Sequence, residues 1–291
     1  MNEKSQRILD ELETMPGMMH VRNQVERIIQ LKRISELRKR NGLKAESCSN
    51  HMVFTGNPGT GKTTAARMIG RAFASMGLLK QRSNIIEESP FVEIHHADVE
   101  SELVGRAEKN IAAKFQEAEG GVIFIDEAYS FLGRAEHRSS EKTIAVMVQM
   151  MEDMRDRVMV IVAGYPKEME EFVNYNPGLR SRFSNTVHFP DYGVSDLLRI
   201  AAHICSERDY KMTEEYKQRL SVRLSQEIAL PGFGNARTVR NLIEYSIKVQ
   251  AVRLSNIASP VRRDLVLLTK DDAPGCLVSK LIETEIEELL S

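Results

Sequence analysis

The sequence has no tryptophan, and aromatic residues make up only 6% of it. With 28% charged residues, that profile suits a helix-rich soluble chain. Cysteine is nearly missing. Cys48, Cys205 and Cys276 are isolated and odd in number, which leaves no even set for a disulfide framework and no CxxC or Cys/His spacing for zinc. A reducing, cytoplasmic setting is the expectation. Net charge is missing too. The 40 Lys+Arg stand against 41 Asp+Glu, which argues against a nucleic-acid partner held by bulk positive charge. There is no long hydrophobic run. The longest, such as Val158–Ala163, are strand-sized, so no segment is expected to span a bilayer and no membrane partner is expected. The opening "MNEKSQRILDELETM" is mixed in charge and lacks the apolar core of a signal peptide. Internal repeats and low-complexity tracts are absent as well.

What is present changes its period along the chain. Residues 1–15 read as a short amphipathic helix with Ile8, Leu9 and Leu12 on one side. Residues 19–40 place Val21, Val25, Ile28, Ile29 and Leu31 at helical spacing and stop at Asn41–Gly42. The basic end of that segment, "LKRISELRKR", is read as a solvated face with cations near a helix C-terminus, nucleic acid being the alternative. After residue 50, short apolar runs alternate with helical patterns. The runs are His51–Thr55, Phe91–His95, Val122–Ile125, Val158–Ala163 and Thr186–Phe189, and the helices lie at 62–77, 107–118, 141–154 and 167–174. This alternation predicts βαβ units on a parallel sheet. Beyond Tyr192 three helices are expected, at 195–208, 213–229 and 235–256, with no strand-like run between them. The chain ends in the acidic amphipathic stub "LIETEIEELLS".

The strongest chemical signal is "GNPGTGKT", Gly56, Asn57, Pro58, Gly59, Thr60, Gly61, Lys62 and Thr63, followed by Thr64. It fits G-x-x-x-x-G-K-[ST] between a strand pattern and a helical one. Glycines let backbone N–H groups turn inward around phosphate oxygens, and the helix N-terminus adds positive potential. Lys62 is placed for the β- and γ-phosphates of ATP, and the Thr63 hydroxyl for Mg²⁺. The second signal is "GGVIFIDEAY", where Asp126–Glu127 closes an apolar strand. Ligand sites lie at the carboxyl ends of parallel strands. Asp126 is therefore expected to hold Mg²⁺ through water, and Glu127 to orient or deprotonate an attacking water. A kinase, whose acceptor is a second substrate, has no need of that second carboxylate, so the pair favours hydrolysis.

The third signal is "GLRSRF". Arg180 and Arg182 precede the fifth strand, with Glu171 and Asp191 the nearest carboxylates along the chain. A cation meeting the charge that spreads over the γ-phosphate accelerates transfer by about 10³–10⁵. The fifth strand is expected at a sheet edge away from the chain's own P-loop, so that both arginines stay unpaired in the monomer and serve a neighbouring subunit. A pair of ordinary surface arginines is the alternative.

"GNPGTGKT", "VIFIDEAY", "VMVIVAGY" and "NPGLRSRF" follow one another in the order and spacing of the AAA+ ATPases, and the sequence resembles that family over about residues 14–273. More narrowly it resembles the CbbX/SpoVK-like branch, which also holds EccA-type ATPase domains. The resemblance implies an α/β P-loop NTPase fold, a parallel sheet with flanking helices, followed by a small all-helical lid domain. The implied division is an N-terminal helix at 1–15, an ATPase core at 16–191, a lid at 192–273 and an acidic tail at 274–291. It places Gly17 and Met18, in "MPGMMHVRNQV", near the adenine, Tyr165 at sensor 1, and Arg180 and Arg182 at the arginine-finger positions, Arg182 ahead of Arg180. It also places Arg237, in "GNARTVRN", at sensor 2. From the residues alone, Arg237 opens a helical pattern behind Gly232 and Gly234 and reads equally as an exposed helix-start arginine. The implied assembly is a homo-oligomeric ring, in the family most often a hexamer, acting on a protein client with ATP and Mg²⁺.

One departure stands out. The family's pore loop carries an aromatic-apolar-Gly tripeptide, and here Leu103–Val104–Gly105 aligns with it, followed by Arg106 where an acidic residue is common. Leucine keeps packing but loses the ring that grips a threaded polypeptide. Weak threading, a different grip and a partner-controlled switch all stay open, beside a clamp-loader-like role on DNA that the near-zero charge disfavours. Three other features are read as structural. His95–His96 ends a strand without a third metal ligand in view. Met147, Met150, Met151 and Met154 form a stripe read as core, or as an adaptable subunit surface. The acidic end reads as a solvated helix, a basic partner being the alternative.

Overall fold

The structure is a computed structural model and describes residues 3–44, 49–80, 89–95, 106–132 and 138–276. Cys48, His96, Leu103–Val104–Gly105 and the acidic stub beyond Cys276 lie outside the described residues. The chain forms two compact units, one of Met1–Gly56 with Gly61–Pro190 and one of Asn57–Thr60 with Asp191–Ser291.

In the first unit α1 (Glu3–Thr14) and α2 (Met19–Arg40) precede β1 (Met52–Thr55) and α3 (Lys62–Ser75). Then come β2 (Phe91–Ile94), α4 (Arg106–Glu117), β3 (Val122–Ile125), a 3₁₀ turn (Ala128–Leu132), α5 (Arg138–Asp153) and β4 (Met159–Gly164). The unit closes with α6 (Pro166–Tyr175), α7 (Pro177–Arg182) and β5 (Asn185–His188). The sheet is parallel, in the order β2-β3-β4-β1-β5. All five expected strands are present within a residue of their expected ends. Strands β1, β3 and β4 are buried along their whole length, as an all-parallel sheet covered on both faces requires. The methionine stripe is core: Met147, Met151 and Met154 are buried beside Ile111, Phe115, Val160 and Val162, and Met150 packs against them.

One expectation fails here. Leu31 is 65% exposed, while α2 buries Lys32 and Ser35 instead. The reason is a polar anchor: Lys32 Nζ donates to Asn50 Oδ1 and Asn50 Nδ2 to the Arg155 carbonyl (2.9 Å), and a satisfied polar network outweighs the apolar pattern locally. The stretch "PGLRSR" forms the short helix α7, capped by Asn176, whose side chain accepts from the Gly178 N–H (2.7 Å). A six-residue helix is too short to show a period.

His51 opens β1 and is buried. Its Nδ1 accepts from the Val160 N–H (3.0 Å) and its Nε2 lies 3.3 Å from the Met151 carbonyl. The neutral Nε2–H tautomer satisfies both. Burial pulls its pKa down to about 4 from 6.5, the Met151 carbonyl opposing, with Lys32 and Arg182 adding to the fall. Between those values the unfolded chain takes up a proton that the folded chain refuses. The stabilisation is therefore complete above pH 6.5 and is lost as pH falls through 4. Urea unfolding should show about 3 kcal/mol of stability lost to this group between pH 7 and pH 4. The His51→Leu variant, weaker throughout, should lack that slope.

The second unit carries α8 (Val194–Glu207), α9 (Glu214–Ile228), α10 (Ala236–Ser255) and α11 (Arg262–Val266). The unit is helical as expected, with one small addition: β6 (Lys211–Met212) and β7 (Leu267–Leu268) pair in parallel. Two-residue strands paired across 55 intervening positions leave no local pattern. Inside the helical set, Tyr216 Oη donates to Ser246 Oγ (2.7 Å). Arg253 holds the fully buried Asp272 by two bonds of 2.8 Å, fixing the strap after β7 to α10.

Candidate nucleotide site

Strand β1 ends in the glycine loop, and α3 starts at Lys62. The loop's glycines are sterically required. Gly56 sits at φ 152°, where a Cβ would meet the Phe189 carbonyl oxygen at 2.3 Å, and Gly61 caps α3 at φ 87°. Lys62 Nζ bends back to donate to the Gly56 carbonyl (2.7 Å), which holds its charge over the loop. Thr63 is half-buried and Thr64 exposed in the first turn of α3, where backbone N–H groups have no acceptor inside the helix.

The strand order puts the remaining groups beside that loop. β4 lies between β1 and β3, with Thr55 opposite Gly164 and Ile125 opposite Val162, and the Gly56 N–H donates to the Gly164 carbonyl (3.1 Å). Asp126 and Glu127 follow β3 directly. Glu127 has φ 50°, uncommon for a residue with a side chain. Its N–H donates to Asp126 Oδ1 (3.1 Å), and its carbonyl accepts from the Ser130 N–H (2.8 Å). Tyr165 follows β4, caps α6 and is 36% exposed. Lys62, Thr63, Asp126, Glu127 and Tyr165 thus sit at the carboxyl ends of three adjacent strands. Among the described residues no group of three or more His, Cys, Asp and Glu could form a metal site by itself. The donor set suits Mg²⁺ bound together with phosphate: a hydroxyl at Thr63, a carboxylate at Asp126, and a loop shaped for anions.

Gly17 turns at φ 69° between α1 and α2. Met18 is 1% exposed, so its side chain is committed to the core.

In the second unit, Asn57–Thr60 are gripped by residues that sequence reading missed. Asn57 Nδ2 donates to both oxygens of Asp191 (3.0 and 2.9 Å). Asn235, fully buried at φ 51°, donates to Asp191 Oδ1 (2.8 Å) and the Pro58 carbonyl (3.3 Å) and accepts from the Tyr192 N–H (2.9 Å). Tyr192 Oη donates to the Thr60 carbonyl (2.8 Å); burial first, then Asp196, pushes this phenol up to about 12, which keeps it a donor. The Ala236 N–H donates to the Gly59 carbonyl (3.1 Å). A Cβ on Gly59 would stand 2.1 Å from the Gly234 carbonyl oxygen. The one available signal was "GNAR", read for Arg237 and not for the asparagine. Arg237 is exposed in the first turn of α10.

The arginines need a correction in two respects. β5 is not remote from the P-loop strand; it is its direct neighbour, Met52 pairing with Asn185. The separation runs along the strands: α7 enters the amino end of β5, while the loop leaves the carboxyl end of β1, about 13 Å away for a four-residue strand. Nor is Arg182 unpaired. Its guanidinium reaches Glu152 on α5 (3.4 Å), Ser181 Oγ (3.0 Å) and the Gly178 carbonyl (3.3 Å), and its own carbonyl accepts from Ser49 Oγ (2.5 Å). Arg180 is exposed and has no side-chain partner among the described residues.

A glycine loop between strand and helix with a carboxylate pair one strand removed defines a P-loop ATPase, and a second, helical unit follows it in the chain. The chain belongs to the ATPase family associated with various cellular activities (AAA). That family's model matches residues 52–191, and the AAA lid domain matches residues 193–280. Stage V sporulation protein K of Bacillus subtilis is 34% identical over 278 residues, covering 93% of this chain and 84% of the relative. Protein CbbX of Cereibacter sphaeroides is 34% identical over 255 residues, covering 87% and 80%. A chloroplastic ribulose bisphosphate carboxylase/oxygenase activase of Cyanidioschyzon merolae is 33% identical over 274 residues, covering 92% and 90%. The chain is an AAA ATPase of the CbbX/SpoVK-like branch. None of its described helices is long and apolar enough to cross a membrane.

Proposed function

We propose that the protein works as a ring oligomer, a hexamer of identical cytoplasmic subunits, that uses ATP hydrolysis to remodel or regulate a protein client. The working parts are an N-terminal helix to residue 15, a core to 191, a lid to 273 and an acidic tail. Lys62 takes the β- and γ-phosphates, Thr63 and Asp126 hold Mg²⁺, and Glu127 aligns the water. Gly56–Thr64 wrap the phosphates, and Gly17 with Met18 border the base. Tyr165 senses the γ-phosphate, Arg237 serves from the lid, and Arg182 or Arg180 serves the neighbouring subunit. Bound Mg²⁺ neutralises charge developing on the transferred group. The supporting observation is the placement of Arg180 and Arg182 at the end of the sheet opposite their own P-loop. That separation leaves them without a use in cis and favours a use in trans; Arg180 is exposed, and Arg182 is held against Glu152 in the single subunit.

ATPase activity per subunit, followed across a wide concentration series beside light scattering, should be low in the dilute monomer and climb steeply on assembly. A flat rate without oligomer would overturn the ring. A second reading, a nucleotide-gated scaffold that hydrolyses slowly as a timer, is favoured by Leu103 where the family has an aromatic. It too assembles with ATP, but it leaves its bound client unaltered.

A further inference from the structure

We propose that Tyr192 and Asn235 are positioning residues for the nucleotide: they take carbonyls of the phosphate loop and so hold its N–H groups ready for the phosphates before ATP arrives. This rests on Gly56–Thr64 wrapping those phosphates. Each of the five carbonyls from Gly56 to Thr60 has its own donor. Lys62 Nζ serves Gly56 (2.7 Å), and the loop's own Thr60 Oγ1 serves Asn57 (2.8 Å). The crest of the loop, Asn57–Thr60, belongs to the second unit, and other residues of that unit serve the remaining three. Asn235 Nδ2 donates to Pro58 (3.3 Å), the Ala236 N–H to Gly59 (3.1 Å) and Tyr192 Oη to Thr60 (2.8 Å).

A trans peptide points its N–H away from its C=O, and every described peptide is trans. A donor on a loop carbonyl therefore turns the next residue's N–H to the opposite side, which sets those of Gly59, Thr60 and Gly61. The backbone alternates in hand there, with Gly59 at φ 71°, Thr60 at a negative φ and Gly61 at φ 87°. That alternation gathers successive N–H groups into a concavity for an anion. Neither the Gly59 nor the Gly61 N–H has an acceptor among the described residues. Glycines left to themselves visit many conformations, and a ligand would have to order them on binding. Asn235 carries the strain of holding them. Its backbone sits at φ 51° and ψ −122°, outside the left-handed helical region that asparagine visits. Its buried side chain also donates to Asp191 Oδ1 (2.8 Å) and accepts from the Tyr192 N–H (2.9 Å), and Asp191 in turn takes Asn57 Nδ2.

Tyr192→Phe keeps the buried ring and removes only the O–H. Asn235→Gly removes the side chain and suits the backbone, since glycine reaches such a positive φ without strain. With ATP titrated into each folded variant by calorimetry, Tyr192→Phe should bind about fivefold weaker and Asn235→Gly about 10-fold weaker or more. Bonds to the phosphates exist before and during transfer. In the assembled protein KM for ATP should therefore rise by similar factors, while kcat at saturation stays within about twofold. A residue that only stabilised the fold would lower the melting temperature and leave the affinity of the folded protein alone. Wild-type affinity in the folded variants overturns the proposal, as does a loss confined to kcat. Tyr192→Phe decides by itself if Asn235→Gly fails to fold. Lys62→Ala is the control: ATP bound as tightly as by wild type brings down the phosphate-loop reading and this proposal with it, whereas lost binding beside a normal Tyr192→Phe and Asn235→Gly fails this proposal alone.

Discussion

Glu127→Gln should lower ATP turnover by at least about 100-fold while ATP stays bound. Glutamine matches glutamate in shape, so the fixed turn from Asp126 to Ser130 is kept. It lacks the negative charge that draws a proton from water. Lys62 and the glycine loop are untouched, so binding energy toward the triphosphate survives. Phosphate release under saturating ATP measures the first effect, and nucleotide extracted after gel filtration measures the second. The variant should also hold its client, because a ring that cannot pass from the ATP state stays in the conformation that engages its partner. A tagged Glu127→Gln protein should retain that partner with ATP and release it with ADP. Turnover within tenfold of wild type would remove Glu127 from the chemistry.

How far this was legible follows from the range over which each residue acts. Lys62, Thr63, Asp126 and Glu127 are fixed by what stands within a few positions of them: a strand, a glycine turn, a helix start. Local spacing reveals such groups. Asp191, Tyr192 and Asn235 act on Asn57–Thr60 across more than 130 positions of chain, through an amide and a phenol that form no motif. Nothing local marks them except a buried asparagine before a helix, which reads as an ordinary cap although its side chain is spent elsewhere. Leu31 misled for a related reason. Periodicity assumes that apolar side chains face inward, and Asn50 turned that rule over by anchoring Lys32. The fold class was carried by the alternation of buried runs and helical patterns, which depends on the sheet being covered on both faces. The neighbour relation of β1 and β5 was not, because strand order is decided by packing between distant segments.

In the assembled protein, Arg182→Ala should cost about 10³-fold in turnover or more, roughly 4 kcal/mol of barrier or above, while the dilute monomer binds ATP as before. The ion pair with Glu152 does not stand in the way. At 3.4 Å, with Glu152 half exposed, such a pair is worth about 0–1 kcal/mol, and the bonds to Ser181 Oγ and the Gly178 carbonyl are local ones that charge-assisted bonds to a triphosphate would outweigh. Ser49 meanwhile keeps the backbone at Arg182 in place. Arg180→Ala tests the other candidate, and the larger of the two losses names the finger. Mixing then separates a site shared between subunits from a site within one. Arg182→Ala supplies an intact Glu127, and Glu127→Gln supplies an intact Arg182. Each is inactive alone, but in a randomly mixed ring about a quarter of the sites join the good half of one to the good half of the other. Turnover reappearing on mixing, at up to about that fraction of wild type, requires an arginine that crosses the subunit boundary. Two inactive proteins that stay inactive together, in rings shown by light scattering to have exchanged subunits, would place both groups in one chain and remove the reason for the ring.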